Sequence, residues 1–204
     1  MGLVAPVGNR RRAGQIGRPT GIRALVDALS QAKHRIQLLD LQICLAQFAP
    51  SAPDRPAFAG ETCPGELARA LGSALDNDVC VEILLPDPDA PSSDQAAWHL
   101  GLDPDHYRRS LRLLSADLAT LPGRAHAGRL DLRLYAVPAA ASIVRCDEQV
   151  WASLYQEGAP GTAVYLGLGR RSENARALQS YFNRLHATAH PMAYAIPYTE
   201  IGIS

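Results

Sequence analysis

Apolar and polar residues alternate along two stretches of the chain and recur at helical spacing along several others. Leu130, Leu132 and Leu134 alternate with Asp131, Arg133 and Tyr135, the period-two pattern of a half-buried strand. Pro138 ends that strand, since it has no N–H to give to a ladder. Residues 142–145 and 149–155 then predict a hairpin. Cys146, Asp147 and Glu148 form its turn, where Asp can bond its own backbone. Upstream, Ile22, Leu25, Val26 and Leu29 make one apolar face of a helix that Thr20 is placed to cap. The apolar run at Ile36, Leu38, Leu39, Leu41 and Ile43 predicts a buried strand. Asp40 and Gln42 are its polar exceptions, facing a cleft or bonded into the fold.

Residues 49–64 are proline-rich and predict a long loop. A second helix spans 65–74, and the β-branched run 79–85 predicts a strand that ends in Pro86, Asp87, Pro88 and Asp89. Residues 103–121 are amphipathic, with Tyr107, Leu111, Leu114 and Leu118 on one side. Residues 162–167 predict a further strand. Ser172 caps a last helix in which Leu178, Phe182 and Leu185 face inward. Strands alternating with helices define an α/β class: a mainly parallel or mixed sheet with helices on both faces. The domain is expected to occupy residues 21–204, behind a flexible arm at 1–20 that is rich in Gly and Arg.

Composition narrows the function more than the fold. The chain has 204 residues, 47% hydrophobic, with 20 basic and 20 acidic side chains and no net charge. Neutrality argues against a nonspecific nucleic-acid binder, which needs positive charge to neutralise phosphates. No apolar run is long enough to span a membrane. The basic residues Arg10, Arg11 and Arg12 are followed by no apolar leader segment, so a cytoplasmic location is the expectation. Cys44, Cys63, Cys80 and Cys146 form no C-x-x-C pair, and no H-E-x-x-H occurs. Neither a metal nor a cofactor is expected.

Ligands of open α/β sheets bind beyond the carboxyl ends of parallel strands, which places Asp87 and Asp89 on a candidate rim. The same residues also suit a plain turn and a helix cap.

Several short motifs occur in a telling order: Arg35-Ile36-Gln37-Leu38-Leu39, then Ile83 to Asp89, then Arg133-Leu134. Ser142-Ile143 with Arg145 and Asp147 follow, then Leu154-Tyr155 with Gly158, and Tyr181-Phe182. Over about residues 21–190 this order resembles one half of the phospholipase D superfamily. It is most similar to single-copy bacterial domains often found behind helix-turn-helix regulators. Active members carry H-x-K-x(4)-D on the hairpin. The resemblance implies a histidine that attacks phosphorus, a lysine that binds phosphoryl oxygens, and an aspartate that supports the turn or the histidine. Aligning Asp147 with the motif aspartate puts Ala140 at the nucleophile and Ser142 at the lysine. Alanine has no lone pair, so phosphohistidine chemistry is not expected.

Side chains alternate along a strand, so Ser142 shares a face with Val144 and Arg145 shares the other with Ile143. Ser142 is therefore expected to line the former phosphate pocket, and Arg145 to pair with Asp147 or a helix. Tyr165 and Asn174 are placed to reach the same rim. The leading expectation is a noncatalytic domain that binds a small molecule or a protein, as a homodimer or with a regulatory partner. Its ligand contacts would come from Asp89, Gln42, Arg145, Asp147, Tyr165 and Asn174. The alternative is a repurposed hydrolase or group-transfer enzyme using Ser142, Asp87 and Asp40.

Overall fold

The structure is a computed structural model that describes residues 16–20, 22–39, 66–99, 102–119, 121, 129–154, 165–169 and 172–192. Among the described residues, eight strands form one sheet: β1 (Ile16–Thr20), β2 (Arg35–Leu39), β3 (Cys80–Pro86), β4 (Leu130–Tyr135), β5 (Ala141–Cys146), β6 (Gln149–Leu154), β7 (Tyr165–Leu168) and β8 (His190–Pro191). Their order across the sheet is β1-β7-β6-β5-β2-β3-β4-β8. Among the described strands, β2–β3 and β3–β4 pair in parallel, and the other neighbours are antiparallel. The sheet is therefore mixed, with its parallel part confined to the three strands linked through helices. A parallel pair needs a long crossover, whereas β5 follows β4 after a short loop and β6 follows β5 after a tight turn.

Among the described residues, five helices cover both faces: α1 (Ile22–Ser30), α2 (Glu66–Asp76), α3 (Ser92–His99), α4 (Pro104–Ala119) and α5 (Glu173–Thr188). Alternation in the strands decides what each helix meets. Ile36, Leu38, Ile83, Leu85 and Val144 point to one face, where they pack with Leu25 and Leu29 of α1, Leu71 of α2 and Leu111 of α4. Leu39, Leu84, Tyr135 and Ile143 point to the other, against Phe182 and Leu185 of α5. Burying each such Leu or Phe stabilises the fold by about 1.5–3 kcal/mol.

Two local readings change. The expected arm at 1–20 contains β1: Ile16 pairs with Leu168 and Thr20 with Tyr165. Thr20 thus ends a strand, and α1 begins at Ile22 and stops at Ser30. The turn after Asp87 runs directly into α3, where Asp94 lies in the first turn. Ser172 does cap α5, its hydroxyl accepting the Ala175 N–H at 3.1 Å. The 49–64 loop lies outside the described residues.

Candidate functional site

The hairpin of β5 and β6 carries two ends with different chemistry. At its turn, Asp147 adopts a left-handed backbone with φ 51°, a conformation that Asp tolerates better than most side chains. Its carboxylate accepts the backbone N–H groups of Lys33 (2.9 Å), His34 (2.9 Å) and Arg35 (2.8 Å). Desolvation pushes this carboxyl up, but the three N–H bonds and the neighbouring His34 outweigh it and hold it below its ordinary value. Asp147 therefore fixes the entry of β2 against the hairpin. Beside it, burial and then the Asp147 charge push the Cys146 thiol up to about 12.

The other end of β5 lies beside the carboxyl end of β2, because Ile143 pairs with Leu39. Here Ser142 is 1% exposed, and its hydroxyl has no hydrogen-bond partner among the described residues. It stands opposite Ser153 of β6. The β6–β7 register, Trp151 to Gly167 and Ala152 to Leu166, carries on to bring Ser153 beside Tyr165. Ser142, Ser153 and Tyr165 thus form a row of buried hydroxyl-bearing residues across three strands, on the face that α1 also covers. Ser153 was not among the residues the sequence pointed to. Nothing but its register position marks it. Ala140 lies in the exposed loop before β5, and its N–H donates to the Tyr181 hydroxyl of α5 at 2.8 Å.

Asp87 and Asp89 follow the carboxyl end of β3. One Asp87 oxygen accepts the Asp89 N–H at 2.9 Å, and the other lies 3.7 Å from His190 Nε2. The exposed Asp89 pairs with Arg112 at 2.6 Å. Strand β2 separates β3 from β5. Two strand spacings of about 4.8 Å therefore lie between the Asp87 turn and Ser142. Asn174 is exposed in the first turn of α5, on the sheet face opposite Tyr165. Asp40 and Gln42 lie outside the described residues.

Arg145 points away from Ser142, as alternation requires. Its guanidinium donates to the Asp147 carbonyl (2.7 Å), to Gln37 Oε1 (3.1 Å) and to Gln179 of α5. Gln37 in turn donates to Glu82, and Glu82 lies in register with Asp131. Asp131 accepts from Arg133 at 3.0 Å and meets His186 at 2.8 Å. A polar seam thus crosses β5, β2, β3 and β4 beneath α5. Alternation alone put Asp131 with Arg133, and Arg145 with Ile143, each on one face of its strand, but not in one row with Gln37 and Glu82. Their alignment is set by register between strands far apart in sequence.

Among the described residues, no group of three or more His, Cys, Asp or Glu is placed to hold a metal ion, and no helix is long and apolar enough to cross a membrane. No protein-family model and no curated protein matches the chain. Similar solved structures include TrmBL2, an archaeal chromatin protein described for its mode of DNA binding. The match has 16% identity, covers 83% of this chain and 50% of that one, and has a TM-score of 0.47. This chain thus spans about half the length of TrmBL2. Nuc from Salmonella typhimurium, a phospholipase D family member, matches at 11% identity over 86% of this chain and 99% of that one, TM-score 0.47. NucT from Helicobacter pylori matches at 14% over 84% and 90%, TM-score 0.46.

Proposed function

We propose that the chain is a phospholipase D-like domain that binds a small molecule at Ser142 and lacks phosphohistidine chemistry. One observation carries this reading: the Ser142 hydroxyl is fully buried and unpartnered at the strand end where such sheets receive ligands. An unpaired buried hydroxyl costs about 1–3 kcal/mol, and a ligand that satisfies it recovers that cost on binding. The row continues through Ser153 and Tyr165, so the buried surroundings of Ser142 are neutral hydroxyl groups rather than charges. In the H-x-K-x(4)-D alignment Ala140 replaces the nucleophile and Ser142 the cation. A regulatory partner or a second copy would relay occupancy.

A second reading, a repurposed hydrolase or transferase, draws on the Asp87–His190 contact of 3.7 Å at the same edge of the sheet. A carboxylate beside an imidazole is an acid–base pair. Nucleic-acid binding, described for TrmBL2, is disfavoured by the zero net charge.

The test is a thermal-shift screen of small polar molecules, repeated on Ser142→Ala and Asp87→Asn. The binding reading expects hits that Ser142→Ala abolishes and Asp87→Asn keeps. Turnover of a hit, lost in Asp87→Asn, supports the second reading. Stabilisation that survives both substitutions would sink the site as placed.

A further inference from the structure

Helices α3 and α4 form an antiparallel pair with ion pairs across its seam. Asp94 of α3 meets Arg108 of α4 at 2.7 Å, and Asp89, just before α3, meets Arg112 at 2.6 Å. The partners run in opposite directions, and the Leu102 N–H bonds the Ala97 carbonyl at the connection. The next step of this ladder therefore puts Trp98, one turn after Asp94, beside the first turn of α4. Trp98 is 81% exposed. A lone exposed indole is ordinary, but this one ends a stripe of charges that are largely unspent. α4 buries Tyr107, Leu111 and Leu114 and turns Asp105, Arg109 and Arg112 to solvent. Asp105 is held only by Arg108, at 3.8 Å. Arg109 has no ionic partner among the described residues.

This stripe is acidic where α4 begins and basic further along, so it complements itself when turned around. We propose that the α3–α4 face is a self-association surface that receives the same face of a second copy, with Trp98 as its apolar anchor. A two-fold axis lays identical patches antiparallel, so that residue i meets j and j meets i. With the axis midway between Asp105 and Arg109, Asp105 of each copy faces Arg109 of the other. Trp98 of each then falls opposite the turn from Arg109 to Arg112, where an indole face takes a guanidinium. Asp89, Asp94 and Asp105 balance Arg108, Arg109 and Arg112. That balance disfavours DNA and anionic membrane as occupants, since both call for surplus positive charge. The surface is separate from the Ser142 site: α4 packs over β3, and β2 lies between β3 and β5.

One helix pair offers a small patch, so the dimer is expected to dissociate in the micromolar range and to weaken as salt rises. Sedimentation equilibrium of the full chain at about 100 µM should therefore find dimer. Trp98→Ala, Asp105→Arg and Arg109→Glu should each raise the dissociation constant about tenfold or more, the last two by setting like charges opposite each other. Mixing the Asp105→Arg chain with the Arg109→Glu chain should restore a dimer of one of each, because both cross-contacts then join opposite charges. The chain carrying both substitutions should dimerise as the parent does. Such rescue requires that the substituted chains be folded, so loss of dimer is not mistaken for loss of fold. A monomeric parent, single substitutions that leave the dimer intact, or a mixture that stays monomeric would each overturn the proposal. So would parent binding to DNA or to anionic vesicles that Trp98→Ala abolishes, since the face would then have another occupant.

Discussion

Asp147 and Arg35 bond each other through both ends of their peptide chemistry. The Arg35 N–H donates to the Asp147 carboxylate at 2.8 Å, and the Asp147 N–H donates to the Arg35 carbonyl at 2.8 Å. Residues separated by more than half the chain thus fix where β2 begins relative to the hairpin. Asp147→Ala leaves three backbone donors without this acceptor. It is expected to lower stability by about 2–3 kcal/mol, measured by urea unfolding near pH 7. Because the folded carboxyl is lowered, its contribution is complete above the unfolded value of about 3.9 and is lost as pH falls through the lowered folded value. The gap between parent and Asp147→Asn should therefore narrow when the melts are repeated near pH 3.

Ser142→Ala should behave in the opposite sense. Its hydroxyl is buried and unpartnered, so removing the oxygen without ligand raises stability by about 1 kcal/mol. A loss of that size in urea unfolding would mean that the hydroxyl is already satisfied in the free protein.

Arg145 joins the hairpin, the central strand and α5 through three acceptors. Arg145→Ala strands Gln37, which is 3% exposed, and should cost about 2–3 kcal/mol. Arg145→Lys keeps the charge but not the planar fork, and should recover only part of that loss. A double-mutant cycle with Gln179→Ala measures the α5 share. A coupling energy near zero would show that α5 is held by its apolar contacts alone.

Cys146 should be inert toward alkylation in the folded protein. Its thiol is 5% exposed and pushed up to about 12, and only thiolate reacts. Residue-resolved mass spectrometry after iodoacetamide at pH 8 should find Cys146 unmodified until urea is added. Fast labelling without denaturant would contradict the burial of this strand end.

The sequence made most elements legible because each is a local periodicity. The hairpin was legible because Cys146, Asp147 and Glu148 make a local turn between two strand-like runs. The cap at Ser172 was visible for the same reason: it needs only a hydroxyl before a helical run. What escaped reading was lateral order. The Asp87 turn and Ser142 lie at the same edge of the sheet, and β2 separates them, a fact of pairing that no single segment states. β1 was hidden inside a Gly- and Arg-rich stretch with no alternation, and it forms because β7 offers an open edge. Ser153 and the Gln37–Glu82–Arg145 alignment depend on register in the same way.

The strand order also sets a timetable for synthesis. β2 is completed on one side by β3 but on the other only by β5, about 100 residues later in the chain. At ordinary translation rates that interval is about 5–20 s. During it, the central strand of the emerging protein presents an open apolar edge, the kind of surface that pairs with other chains. The Asp147 latch is made of the last residues to arrive at that gap, so the side chain that sets the register also ends the exposure.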